Sequence, residues 1–326
     1  MKLPRRNFLH LVEGAAALPT VSRITWAQSY PTRPVRVIVP FAPGGPTDIF
    51  ARLVAQKLSE YFGKQFYVEN IGGDGGNVGM GQGAKAAPDG YTMLVVATTI
   101  VVNPTLYDGV PFDPYRDFDP VTLAVTSPEV LSVNPSLPVH SVKDLVALIK
   151  ARPGKYNFAS PGTGTPGHLV GELFRLSLGL DLVHVPFNSA GLAIGSTVAG
   201  HTPIAFTTPP PVVPQVKAGK LRALAVASKA RLQALPDVPT MAEAGYPDIE
   251  GEAWFAVIVP ARTPKEIIAL LHGEIVKTIA LPDMKERMAT LGFDPVGSAP
   301  EECAAYFRTE AAKWAKVIRQ AGIKAQ

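Results

Sequence analysis

The sequence predicts an α/β fold in two domains, each a mostly parallel sheet flanked by helices, and three observations predict it. Short β-branched runs alternate with helical patterns along most of the 326 residues, the rhythm of parallel strands joined by covering helices. Two Pro/Gly-rich corners, residues 40–48 and 161–168, each lead from a strand into a helix. Two long extended segments, 121–133 and 254–259, follow Pro-rich stretches at 111–120 and 235–247. They read as the places where the chain leaves its first domain and returns to it. The first domain is therefore expected at 30–122 and 251–326 and the second at 123–250. Ligands of open α/β sheets bind beyond the carboxyl ends of the strands, so both domains should line one cleft.

The elements follow in order. Residues 35–39 read as a buried strand and 49–62 as a helix with Ile49, Leu53, Val54 and Leu58 on one face. Strand 65–69, short helix 78–86 and strand 91–97 complete the first run. After the extended segment come helix 142–151, strand 156–160, helix 166–178, strand 182–185, helix 192–199 and strands 204–206 and 221–227. The last 65 or so residues are mainly helical and end in 301–320. Ser141 with Asp144, and Thr263 with Pro264 and Glu266, fit capping-box starts.

The corner Pro40-Phe41-Ala42-Pro43-Gly44-Gly45-Pro46-Thr47-Asp48 is the most informative stretch. Gly44 and Gly45 can take φ > 0 and admit a ligand to the main chain, while Thr47 or Asp48 can cap the helix. Unpaired N–H groups and the positive end of a helix dipole suit an anion such as a carboxylate. The second corner contains Gly162, Gly164 and Gly167, a literal G-x-G-x-x-G after a strand. The dinucleotide fingerprint also needs an acid at the end of the next strand, and that strand ends Val185-Pro186-Phe187-Asn188. The ribose ligand is missing. Gly79, Gly81 and Ala84 lie too far from a strand to replace it.

Other chemistry is excluded by its motifs. There is no G-x-S-x-G, no H-E-x-x-H and no phosphate loop. The histidines do not fall at metal spacing, and only His168 opens a helix at the expected cleft. Cys303 is the single cysteine, which rules out an internal disulfide and a cysteine metal knuckle, and its apolar helical setting reads as a buried hydrophobe. Trp254, near Glu252, reads either as a pocket wall or as packing at the return crossover, with packing favoured. At the start, Arg5-Arg6-Asn7-Phe8-Leu9, a short apolar segment at 11–18 and Thr25-Trp26-Ala27 outline a twin-arginine export signal over 1–27. That segment is well short of the ~20 residues a membrane span needs. Removing the leader leaves 27 basic and 26 acidic residues. No basic patch interleaved with aromatics remains, so no nucleic-acid partner is expected.

Val35-Arg36-Val37-Ile38-Val39-Pro40-Phe41-Ala42-Pro43-Gly44-Gly45, with Asp48, Ala51 and Arg52, resembles the opening of the Bug-type extracytoplasmic solute receptors of tripartite tricarboxylate transporters. The likeness continues through Val68-Glu69-Asn70, Pro88-Asp89-Gly90-Tyr91-Thr92, Asn103-Pro104, Asp117-Phe118, Ala159-Ser160, His184-Val185-Pro186 and 217–226. It resumes at 235–240 with Glu243-Ala244-Gly245 and closes with Trp314 and 321–324. The resemblance implies a type II-like, two-domain periplasmic binding fold that closes on a mono-, di- or tricarboxylate or an aromatic acid. It also implies membrane partners from such a transporter, a periplasmic location, a monomer and no cofactor or metal. The chain departs from the usual pattern at 71–76, at Asn188-Ser189, at Thr202-Pro203 and at Thr207.

The candidate ligand residues are Gly44, Gly45, Thr47, Asp48, Thr98, Ser160, Thr163, Gly164, Thr165, His168, Asn188 and Thr207, and no catalytic residue is expected. Neither corner holds Arg or Lys, so helix N-termini with Thr47, Ser160, Thr163 and Thr165 are expected to hold the carboxylate and Asn188 to complete the far side. Arg52 is expected to pair with Asp48 instead. The alternative is an exported α/β enzyme using a nucleotide or flavin in the same cleft.

Overall fold

The computed structural model describes residues 30–325, and the expected leader lies outside them. The chain opens with β1 (Val35–Val39), α1 (Pro46–Phe62), β2 (Phe66–Asn70), α2 (Asn77–Ala84), β3 (Thr92–Ala97), α3 (Thr99–Leu106) and β4 (Phe118–Pro128). It continues through β5 (Val130–Val133), α4 (Val142–Ala151), β6 (Tyr156–Ser160), α5 (Pro166–Ser177), β7 (Leu182–Pro186), α6 (Ala190–Val198), β8 (Ile204–Thr207), α7 (Pro209–Lys217) and β9 (Arg222–Val226). It ends with β10 (Glu252–Pro260), α8 (Lys265–Ala280), α9 (Pro282–Thr290), the two-residue β11 (Asp294–Pro295) and α10 (Pro300–Ala321).

Two sheets result, in the orders β11-β4-β10-β3-β1-β2 and β7-β6-β8-β5-β9. Strands β1 to β4 share one direction and β10 and β11 oppose it. In the second sheet β6 to β9 run together and β5 opposes them. Each sheet is thus mixed but mostly of one direction, and β5 and β10, the strands that enter a sheet from the other one, run against it. The extended segment at 121–133 is two strands on two sheets. The sheet changes at Glu129, between Pro128 and Val130, whereas 122/123 falls inside β4. The main chain ties the two crossings together: the Ala227 N–H donates to the Glu129 carbonyl at 2.8 Å and the Gly251 N–H to the Ala227 carbonyl at 2.9 Å. All four chain ends at these crossings lie on the carboxyl edges of the parallel strands.

Helix α1 starts at Pro46 and ends at Gly63, whose φ of 63° closes the last turn. It buries Phe50, Leu53, Val54 and Leu58, with Ile49 only partly covered. Two helices escape the sequence pattern. Thr99-Ile100-Val101-Val102, a β-branched run just past the expected strand 91–97, forms the start of α3, and α7 opens on Pro209-Pro210-Pro211. Prolines fit a first turn because its N–H groups need no intrahelical partner. The Ser141 cap holds, its hydroxyl accepting the Asp144 N–H at 3.1 Å. Thr263 does not cap: its hydroxyl donates to the Pro260 carbonyl at 2.7 Å, and α8 starts after Pro264.

Trp254 is core rather than pocket wall. It is fully buried, stacks on Phe307 with ring centroids 5.0 Å apart, and donates through Nε1 to Glu310 at 3.2 Å. Trp314 donates to the same carboxylate oxygen at 2.7 Å. Helix α10 packs on β4, α3 and α5, elements that belong to both sheets' layers. Cys303 is buried and unpaired. Among the described residues no helix is long and apolar enough to cross a membrane.

Candidate functional site

Six strand-to-helix corners lie at the carboxyl edges of the two sheets: after β1, β2 and β3 in one, and after β6, β7 and β8 in the other. In the first corner Gly44 has φ 81°, a value that favours glycine, whereas Gly45 has φ −78° and is the residue before α1. Gly45 is therefore not required by conformation, and a Cβ there would meet only the Ala42 carbonyl at 3.7 Å. Neither Thr47 nor Asp48 is the N-cap. Asp48 turns inward instead: its carboxylate accepts from the Gly44 N–H at 2.9 Å, from Arg52 Nε at 3.0 Å and from Asn70 Nδ2 at 2.9 Å. Burial pushes its carboxyl up, but Arg52, the Gly44 N–H and Asn70 together hold it below the usual range. Asp48 is thus the anchor of the corner, and Arg52 pairs with it as expected. The first-turn N–H groups of α1 remain, as at any helix start.

The second corner is pinned from behind. The Gly164 N–H donates to His168 Nδ1 at 3.0 Å, and Ser160 Oγ lies 2.7 Å from His184 Nε2. The two imidazoles stack with centroids 3.7 Å apart. Burial, with each ring beside the other, pushes His168 down to about 3, and burial pushes His184 down to about 4, so both rings are neutral. The Thr165 hydroxyl donates to the Gly162 carbonyl at 2.7 Å. Ser160, Gly164, Thr165 and His168 therefore shape the loop, and the donors expected of Ser160 and Thr165 are already engaged within it. Thr163 and Asn188 are exposed on the rim. The dinucleotide-like glycines have local causes: Gly162 and Gly164 have φ 140° and 76°, and a Cβ on Gly167 would lie 2.3 Å from the Phe206 carbonyl oxygen.

Thr98 follows β3 and Thr207 ends β8, the two strands next to the entering ones. Both are fully buried and the hydroxyl of neither has a hydrogen-bond partner. Glu129 joins them, with an unpartnered Oε2. The sequence reading missed it; a lone acid between apolar β4 and β5 was the available signal. Among the described residues no group of three or more His, Cys, Asp or Glu could hold a metal. An open groove of about 440 Å³ lies between α5, β7 and the C-terminal tail. It holds the Glu172–Arg175 pair, 2.7 Å apart, and reaches the second corner, where Thr163 and His168 line it.

Residues 50–323 match the family described as tripartite tricarboxylate transporter family receptor. The chain belongs to this family. It is a solute-binding receptor rather than an enzyme. This receptor is 37% identical over 300 residues to the protein BugT of Bordetella pertussis, covering 91% of this chain and 92% of that one. It is also similar to the solved structure of R. palustris Rpa4515 with adipate, at 35% identity, TM-score 0.83 and coverage of 90% of this chain and 99% of that chain. A third relative is MatC from Rhodopseudomonas palustris with bound malate, at 31% identity, TM-score 0.78 and coverage of 89% and 100%.

Proposed function

We propose that this receptor captures a small organic carboxylate between the two sheets and delivers it, from the periplasm, to the membrane components of a tripartite tricarboxylate transporter. The observation that supports the reading is that six corners lie at the carboxyl edges of the two sheets, the edges where the chain crosses between them, with Arg52 already bound to Asp48 and Asn70. The adipate and malate of the two relatives support the ligand class. The N–H groups of Gly45 and Thr47 at α1, with the hydroxyls of Thr163, Thr98 and Thr207 and the amide of Asn188, are the donors left for it. Hydrogen bonds of this charge-assisted kind contribute roughly 1.5–3 kcal/mol each. Closure of the sheets on the acid then supplies the altered surface that a membrane partner reads.

The test is a thermal-shift series with adipate, malate, benzoate and citrate, since a ligand of the native state alone raises its apparent stability. Gly45→Val is the matched variant. Its backbone suits any residue, so the melting temperature without ligand is expected to stay within a few degrees. The shift from the bound carboxylate is expected to disappear, because the side chain stands where the ligand meets the main chain. An unchanged shift would reduce the corner to a plain turn.

We also infer export by the twin-arginine route. Replacing Arg5 and Arg6 by lysine keeps the charge and removes the pair. Precursor is expected to accumulate in the cytoplasm, and normal export of the variant would assign the leader to another route.

A further inference from the structure

Glu129 is the single residue between β4 and β5, and only 1% of its surface is exposed. Its carbonyl is held by Ala227, but side-chain Oε2 has no hydrogen-bond partner. It lies against the first turn of α5, where a Cβ on Gly167 would come within 3.1 Å of Oε2. Val130 pairs with Thr207 across β5 and β8, so the partnerless Thr207 hydroxyl belongs to the same edge. A carboxyl buried here gives the fold no pairing and sits where a helix N-terminus and both sheets converge.

No charged group compensates it. On α5, His168 is neutral and tied to Gly164, and Glu172 is paired with Arg175. On the return crossing, Lys229 lies 3.8 Å from Glu250. Glu252 sits beside Asp294 and Glu250, and Glu310 of α10 is held by two indole N–H groups. Burial alone acts on Glu129 and pushes it up to about 8. Ionised, it would occupy the α5 N-terminus and repel an arriving anion. Neutral, it carries a proton to donate.

We propose that Glu129 is a ligand-binding residue that meets the solute as an un-ionised acid, donating its O–H to the solute carboxylate at the start of α5. This rests on the receptor reading above. Capture is then linked to one proton. Simple carboxylates stay ionised above neutral pH, and both histidines stay neutral, so neither moves in this window.

The experiment measures affinity for adipate, malate, benzoate and citrate between pH 7 and about 9.5, in the wild type, Glu129→Gln and Glu252→Gln. The wild type is expected to lose roughly thirtyfold in affinity across that range, the fall that one group titrating near 8 imposes. Glu129→Gln, whose amide still donates but cannot ionise, is expected to give a flat profile. Glu252→Gln should keep the wild-type slope, since Glu252, pushed up to about 7 by burial, Asp294 and Glu250, titrates nearby but faces no ligand. A flat wild-type profile, or the same slope in Glu129→Gln, overturns the assignment and leaves the receptor reading intact. Failure of all four acids at every pH overturns the proposed capture of a small carboxylate and this assignment with it. Should Glu129→Gln not fold, infrared difference spectra of the wild type serve: the carbonyl band of a protonated carboxyl is expected to shift when the bound acid is added. No shift overturns the proposal.

Discussion

Replacing Trp314 by alanine is expected to lower the unfolding free energy by about 3–5 kcal/mol, the cost of emptying a buried aromatic site. The indole is fully buried, and its Nε1 donates to Glu310 at 2.7 Å. Its loss leaves a cavity beside Gly251 and leaves Glu310, buried on α10, with the longer bond from Trp254 and the Lys313 ammonium at 3.6 Å. Helix α10 holds α3 and α5 together, so the cavity weakens the joint between the two sheets as well as one core. Trp314→Phe keeps most of the volume and removes the donor, and is expected to cost about 1–3 kcal/mol. Urea unfolding with an unchanged slope checks both. A loss below about 1 kcal/mol for the alanine variant would show that the site collapses and that the indole is not the strut described.

Acid is expected to destabilise the fold through the stacked histidines. Their folded values, about 3 for His168 and about 4 for His184, lie below the ordinary imidazole value of 6.5. The unfolded chain therefore binds more protons, so the contribution is complete above 6.5 and is lost as pH falls through the folded values. Each group sets a slope of up to about 1.4 kcal/mol per pH unit, so the pair costs several kcal/mol between pH 6.5 and 4. Protonated Nδ1 of His168 cannot accept the Gly164 N–H, and two stacked cations repel. The loop at 161–165 should loosen first. His168→Asn offers an oxygen to Gly164 without titrating. The wild-type stability minus that of this variant is expected to shrink steadily below pH 6.5, and a difference that stays constant to pH 4 would remove the pair as the cause.

The alternation of strands and helices was readable because apolar spacing is local, and β1, α4, β6 and α5 fall where that spacing puts them to within a residue. Helices α3 and α7 were not. In α3 the β-branched run Thr99 to Val102 has the composition of a strand, yet it is helical and packs against α10. Helix α7 opens on three prolines, which offer no helical periodicity, yet its first turn accepts them because its N–H groups need no intrahelical partner. The position of the two corners was legible in Gly44, Gly45, Gly162 and Gly164. The use of each side chain was not, because a hydroxyl or carboxylate is committed by neighbours distant in sequence: Asn70 for Asp48, His184 for Ser160.

The sequence by itself determined the class of fold, the two neutral glycine corners and the family, all of which rest on residue type and order. The tertiary structure decided which polar groups are free. It bound Asp48 to Asn70, turned Ser160, Thr165 and His168 into loop supports, and left Thr98, Thr207 and Glu129 buried with a side-chain oxygen unpartnered. The reason is physical: a polar side chain's availability depends on what burial takes from it and which neighbour answers, and both are set only when distant strands meet at one edge.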